Sequence, residues 1–372
     1  MSLCIAGAGW ITPLGRGIDH VWDRLERGDE ASTQSISGKK DTKNYSGFLV
    51  PEKMLKDLPS HARLRRASAI SRFAAAAGMD AIAQAEAAGL TIDMTRLALI
   101  FAASNGGVIY TKRFYQGIVE AGAQSASPLL FPETVFNAPA SHLAAILGIN
   151  GASYTIVGDG AVGILAIKMA SDLLEAQSLD FCLVVAAEEA DWILCDAYRK
   201  WRLLKSQRPI VPFREPPLGT ILSEGAGALL LARKGFARVV SIHAGGNFSH
   251  QRQAPHILGR ILHDLRDPDA CMIASANGTF VDLAESEAIR RISPEAVVYS
   301  PKPALGESVG ASAMWQIIVA AQALKMKRLP PVLHSDHDAG LRFSTNSTPT
   351  GPSAIVLSCG LNQQAAGLRL SI

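Results

Sequence analysis

The sequence predicts an α/β protein with a largely buried sheet, and three observations carry that prediction. Strand-like apolar runs alternate along the chain with segments whose apolar residues recur at helical spacing. The strand runs are almost continuously apolar, the pattern of strands covered by helices on both faces. Three short motifs also recur in the same order in the two halves of the chain, with a join near Lys234 to Ala237.

SLCIAGAG supplies the first strand, and the alanine-rich stretch Arg65 to Ala88 a long helix. Leu97 to Ala103 is the next strand. Tyr154-Thr155-Ile156-Val157 then drops into the glycine turn Gly158-Asp159-Gly160-Ala161-Val162-Gly163. Ile164, Ile167, Leu173 and Leu174 follow at helical spacing, so a helix is expected over Ala161 to Gln177, with Asp159 as its cap. Many enzymes hold a nucleophile at such a strand-turn-helix junction. Phe181 to Ala187 and Ala226 to Leu231 read as further strands. Beyond the join, RVVSIHAGGN echoes SLCIAGAGW, MIASANGTF echoes LIFAASNGG, and PTGPSAIVLSC echoes EGAGALLLA. A helix over Ala311 to Met326 and a strand over Ala354 to Ser358 complete the second unit. The chain therefore divides into residues 1–235 and 236–372.

Composition narrows the function classes. The 372 residues are 48% hydrophobic and 19% charged, ordinary for a globular protein with one large core or two fused ones. A formal charge of +3 gives no argument for nucleic acid, and no stretch has the length of a membrane span. The N-terminus enters a strand without a charged leader, and the five cysteines lack metal or redox spacing, so a cytoplasmic protein with reduced thiols is expected. Gly7-x-Gly9 is no dinucleotide fingerprint, because Thr12 holds the third glycine position. His334-Ser335-Asp336-His337-Asp338 sits in a polar stretch after prolines and reads as a solvated loop rather than a metal site. No cofactor and no metal are expected.

The echoes and the motif around Gly160 resemble the β-ketoacyl-acyl-carrier-protein synthases of the thiolase fold. The similarity runs through IAGAGWITPLGRG, the first long helix, the stretch from Asn137 to Asp191, PFREPPLGTILSEGAGALLLAR, and the blocks that follow the join. It implies two duplicated halves packed as a five-layer αβαβα body. It also implies a cysteine thiolate at the glycine turn and two histidines that stabilise an enolate. Aligned this way, the cysteine position is Gly160, and the histidine positions are Asn277 and Glu307. Lys302 and Glu224 match residues around the family's site, and Lys302 and Glu307 can pair with each other. Thr350 falls where an aromatic gate is usual. Because a carboxylate at Glu307 repels a developing enolate, condensing activity is not expected.

The resemblance further implies dimerisation through the strand and helix around the turn, with Leu130, beside Phe131, reaching into a partner's acyl pocket. The leading expectation is a chain-length-factor-like partner of an active ketosynthase. Alternatives are a homodimeric acyltransferase on carrier-protein or CoA thioesters, without covalent cysteine, and a scaffold that keeps an acyl-sized pocket. Arg63-Leu64-Arg65-Arg66 and Arg199-Lys200-Trp201-Arg202 offer charge complementarity to an acidic acyl carrier protein.

Overall fold

Ten principal strands and nine principal helices build the computed structural model, which describes residues 2–37, 44–176, 179–335 and 339–372. The strands are β1 (Leu3–Thr12), β2 (Leu97–Ala103), β3 (Ser153–Val157), β4 (Phe181–Glu188) and β5 (Gly225–Ala232), then β6 (Ala237–Asn247), β7 (Ala270–Ile273), β8 (Val297–Tyr299), β9 (Ser353–Cys359) and β10 (Gln364–Ser371). Their order in space is β3-β2-β4-β5-β1 and β8-β7-β9-β10-β6, one pattern used twice. In each set the fifth strand runs antiparallel to both neighbours, while the second pairs in parallel on both sides. A short antiparallel contact of Leu3 to Ile5 with Ala237 to Val239 joins the sets into one run.

The helices are α1 (Ile18–Glu26), α2 (Ala69–Ala87), α3 (Val108–Ala121), α4 (Ala138–Leu147), α5 (Val162–Ala176), α6 (Trp192–Lys200), α7 (Ala254–Leu265), α8 (Phe280–Ile292) and α9 (Ser312–Met326). Alternate residues of each strand point to opposite faces, so each sheet needs two covers. Ile100, Val184 and Leu229 pack into one cluster with α5 and α9, and Ile273, Val356 and Leu368 enter the same cluster from the second sheet. Leu99, Val185 and Leu230 face the other way, onto α2 and α4. Met272, Ile355 and Leu357 face α7 and α8. Five layers result, α2/α4, sheet, α5/α9, sheet, α7/α8. Among the described residues no helix is long and apolar enough to cross a membrane, and all five cysteines are buried and free.

Three expectations need correction. The long helix starts at Ala69 rather than Arg65, because the Ser68 amide donates at 3.0 Å to Glu133 Oε2, and Ala62–Leu64 turns separately as a 3₁₀ segment. The third echo pairs the wrong strands: EGAGALLLA forms β5, the fifth strand of its set, whereas PTGPSAIVLSC forms β9, the fourth. The topological counterparts are β4 with β9 and β5 with β10. Burial on both faces holds for β1, β2, β4 and β5, but β3 is an edge strand with half-exposed side chains. Residues 336–338 of the His334 to Asp338 stretch, and Gln177, lie outside the described residues.

Candidate functional site

The end of β3 turns through Gly158, Asp159 and Gly160 into α5, which fills the middle layer. Across from it, the C-terminal ends of β7, β8 and β9 point the same way because those strands are parallel. Asn277 follows β7, Lys302 follows β8 and Cys359 ends β9, so the sheet itself gathers them. Gly306, at φ 82°, lets the chain pass where a side chain would strike Phe48, and so aims Glu307 back into this space.

Asn277, Lys302 and Glu307 form one buried hydrogen-bonded cluster, each at most 2% exposed. Glu307 Oε2 accepts from Lys302 Nζ and from Asn277 Nδ2, both at 2.6 Å. Its Oε1 accepts from Ser312 Oγ at 2.6 Å and from the Val309 amide at 2.9 Å. Burial pushes this carboxyl up, but the Lys302 ammonium and the hydroxyl and amide donors outweigh it, so Glu307 lies below the usual carboxylate range and is ionised. Asn277 Oδ1 accepts from Thr279 Oγ1 at 2.6 Å, and Lys302 Nζ also donates to Ser275 Oγ at 3.0 Å. Ser275 in turn bonds both the amide and the carbonyl of Cys359. Asn277 and Glu307 thus hold each other.

Gly160 is shut by backbone. A Cβ placed there would stand 2.9 Å from Gly360 Cα, and Ser358 Oγ donates to the Gly160 carbonyl at 2.9 Å. Asp159 serves this closure as well as the turn: its carbonyl accepts the Val162 amide at the start of α5, and its Oδ2 accepts the Asn362 amide at 2.7 Å, so it also clamps the loop after β9 to the turn. The Cys359 thiol is 1% exposed, and burial pushes it well above the ordinary thiol range. It is no stand-in nucleophile.

Two assigned positions stand apart. Glu224 bonds the Val50 and Ala190 amides at 3.0 and 3.3 Å, and burial raises it to about 7, whereas Lys302 pairs with Glu307. Thr350 bonds the Lys327 carbonyl beyond the C-terminus of α9. It precedes β9, whose six residue steps span about 20 Å, so it sits at the wrong end of that strand to gate Gly160. The segment against the turn is Cys359 to Gln364. Ser275, Ser312 and Gly360 were missed in the sequence; only the five-residue spacing of Ser312 from Glu307 hinted at a contact.

Leu129, Phe131, Phe136, Tyr154 and Val157 are exposed hydrophobic side chains, Leu130 is half-buried, and among the described residues β3 pairs only with β2.

Comparison with known proteins gives a consistent picture. The family model described as the β-ketoacyl synthase N-terminal domain matches residues 2–237, and the β-ketoacyl synthase C-terminal domain matches residues 267–336. The chain is 24% identical over 370 residues to 3-oxoacyl-[acyl-carrier-protein] synthase 2 of Vibrio cholerae, covering 90% of this chain and 88% of that protein. Among solved structures it superimposes on the ishigamide ketosynthase/chain length factor with a TM-score of 0.87 at 20% identity, covering 100% of this chain and 98% of that one. It superimposes on the ketosynthase ApeO in complex with its chain length factor ApeC, from Xenorhabdus doucetiae, with a TM-score of 0.83 at 19% identity, covering 100% and 98%. The shared fold is the thiolase-like one.

Proposed function

Since the chain belongs to the β-ketoacyl synthase family, we propose that it is a non-condensing subunit of fatty acid or polyketide assembly that pairs, as a chain length factor does, with an active ketosynthase. The observation that carries this reading is the closed cluster of Asn277, Lys302 and Glu307 beside a turn whose Gly160 has no room for a side chain. A condensing enzyme needs a nucleophile and donors aimed at a developing enolate. Here Lys302, Asn277 and Ser312 all donate to the ionised Glu307.

The same burial weighs against a homodimeric acyltransferase that would use these groups on a bound thioester. What the chain keeps is the face a dimer needs. A strand edge unpaired among the described residues, with exposed Tyr154 and Val157 on it, suits strand-to-strand pairing with a related subunit. In this reading Leu130 projects across that interface and limits the chain length made by the partner. The division into halves 1–235 and 236–372, and docking of an acidic carrier protein on the two arginine-rich clusters, belong to the same proposal.

Co-expression with a ketosynthase that has an intact cysteine and two histidines tests it. Native mass spectrometry is expected to find a one-to-one heterodimer, and acyl transfer from carrier protein to label only the partner. A stable homodimer that refuses every such ketosynthase, or product made by this chain alone, would sink the reading.

A further inference from the structure

In the connection between α3 and α4, residues 122–137, a single residue is buried, and it is Glu133. Leu129, Phe131, Val135 and Phe136 in the same stretch are exposed, and Leu130 is half-buried. That inverts the usual arrangement, in which a surface connection is pinned by an apolar side chain and its carboxylates stay in water. Glu133 ends the 3₁₀ turn Phe131–Glu133 and is 6% exposed. Its carboxylate is satisfied by two helices. Oε1 accepts from His142 Nε2 of α4 at 2.5 Å. Oε2 accepts from the amide of Ser68, which caps α2, at 3.0 Å and from Ser71 Oγ at 3.5 Å. Burial pushes this carboxyl up, but His142 and Ser68 outweigh it, so Glu133 lies below the usual carboxylate range. An ionised carboxylate has no proton to give, so His142 Nε2 is the donor. The backbone is tied in as well. The Glu133 amide donates to the Leu130 carbonyl at 3.0 Å, and a Cβ on Gly107, before α3, would stand 2.7 Å from the Glu133 carbonyl oxygen.

We propose that Glu133 is a positioning residue whose contacts with His142 and Ser68 fix where Leu130 and Phe131 stand, and so fix the chain length made by the partner ketosynthase. The inference rests on the subunit reading above, which puts Leu130 at the partner's acyl pocket. An apolar anchor can slide along a helix at little cost, because hydrophobic contact is non-directional. A buried carboxylate has no such freedom: it keeps its donors within hydrogen-bond distance or stands uncompensated. Three donors on two helices leave the turn one place to sit. Leu130 is bonded to that anchor through the Glu133 amide, so a shift at Glu133 passes to it directly. Phe131 follows, its ring 5.8 Å from that of Phe114 on α3.

Two measurements test this, one on the full chain and one on its complex with a ketosynthase that has an intact cysteine and two histidines. In the chain alone, the amides of Leu130, Phe131, Glu133 and Thr134 are each bonded within the turn. Their hydrogen exchange is expected to quicken about tenfold or more in Glu133→Ala. In the complex, mass spectrometry of the products is expected to show longer chains from Glu133→Ala, as from Leu130→Ala. Glu133→Gln keeps an acceptor for the Ser68 amide and is expected to fall between; it decides the matter if Glu133→Ala fails to fold. A merely structural role would lower the melting temperature and leave product length where it was. The proposal is overturned if exchange in the turn is unchanged in both Glu133 variants. It is equally overturned, with the subunit reading intact, if Leu130→Ala lengthens the products and the Glu133 variants do not. If the unaltered chain forms no heterodimer, or Leu130→Ala leaves product length unchanged, the subunit reading falls and takes this inference with it.

Discussion

Lys302 and Glu307 share a 2.6 Å contact with side chains only 3% and 2% exposed, and that fixes what each can do. A buried charge without its partner is strongly destabilising, while the pair itself is close to neutral against an apolar replacement. Lys302→Met therefore should lower unfolding stability by about 3–5 kcal/mol, and the double variant with Glu307→Gln should recover most of it, read by denaturant titration. Gly160 is constrained by a different force. A cysteine there must push Gly360 back from 2.9 Å, an overpacking cost of about 1–3 kcal/mol. Gly160→Cys should thus melt at a lower temperature and still form no condensation product, since Asn277 and Glu307 remain locked together. Product above background in a thioester condensation assay would refute the account of the site.

In the proposed subunit reading, the edge strand β3 is the element on which assembly would depend. Its backbone groups pair on one side with β2 and are open on the other, and Val157 at 49% exposure stands at its end. Placing a charge there protects an edge without disturbing the interior. Val157→Lys should leave chemical stability within about 0.5 kcal/mol and shift the native mass from dimer to monomer. Elements such as β2, β4 and β9 were legible in the sequence because strands buried on both faces must be apolar at every position. The start of α2 was not, because Glu133 captures the Ser68 amide from 65 residues away. Thr350 was misplaced for a related reason: a run of small polar residues at one end of β9 resembles a gate, but which end of a strand meets the turn is decided by parallel pairing with β7. Gly160, Asn277 and Glu307 were singled out by the family resemblance, whereas the hydrogen bond between Asn277 and Glu307 was not legible in the sequence.

At the scale of the whole molecule, buried carboxyls set how stability responds to pH. Burial raises Glu188 and Glu285 from the ordinary 4.5 to about 8, Glu189 and Glu224 to about 7, and Asp282 from 3.8 to about 6. Each therefore keeps its proton in the folded chain at pH values where the unfolded chain has released it. Between those ordinary values and about pH 8 the native state binds more protons, so stability must fall as pH rises. Glu307 has the opposite sign: held below its ordinary value, it contributes stability above about pH 4.5 that is lost as pH drops further. The two trends place the maximum on the acidic side, near pH 5, with a continuous decline toward pH 8. Melting temperatures across that range check the slope. Glu188 accepts the Ser104 and Asn105 amides at 2.9 and 3.1 Å, and a neutral glutamine can still accept there. Glu188→Gln should therefore flatten the decline across the interval between its ordinary value of 4.5 and about pH 8, with its effect fading as the unaltered Glu188 gives up its proton near pH 8. A melting temperature that rises through that interval in the unaltered protein would mean these carboxylates are ionised and paired within the fold.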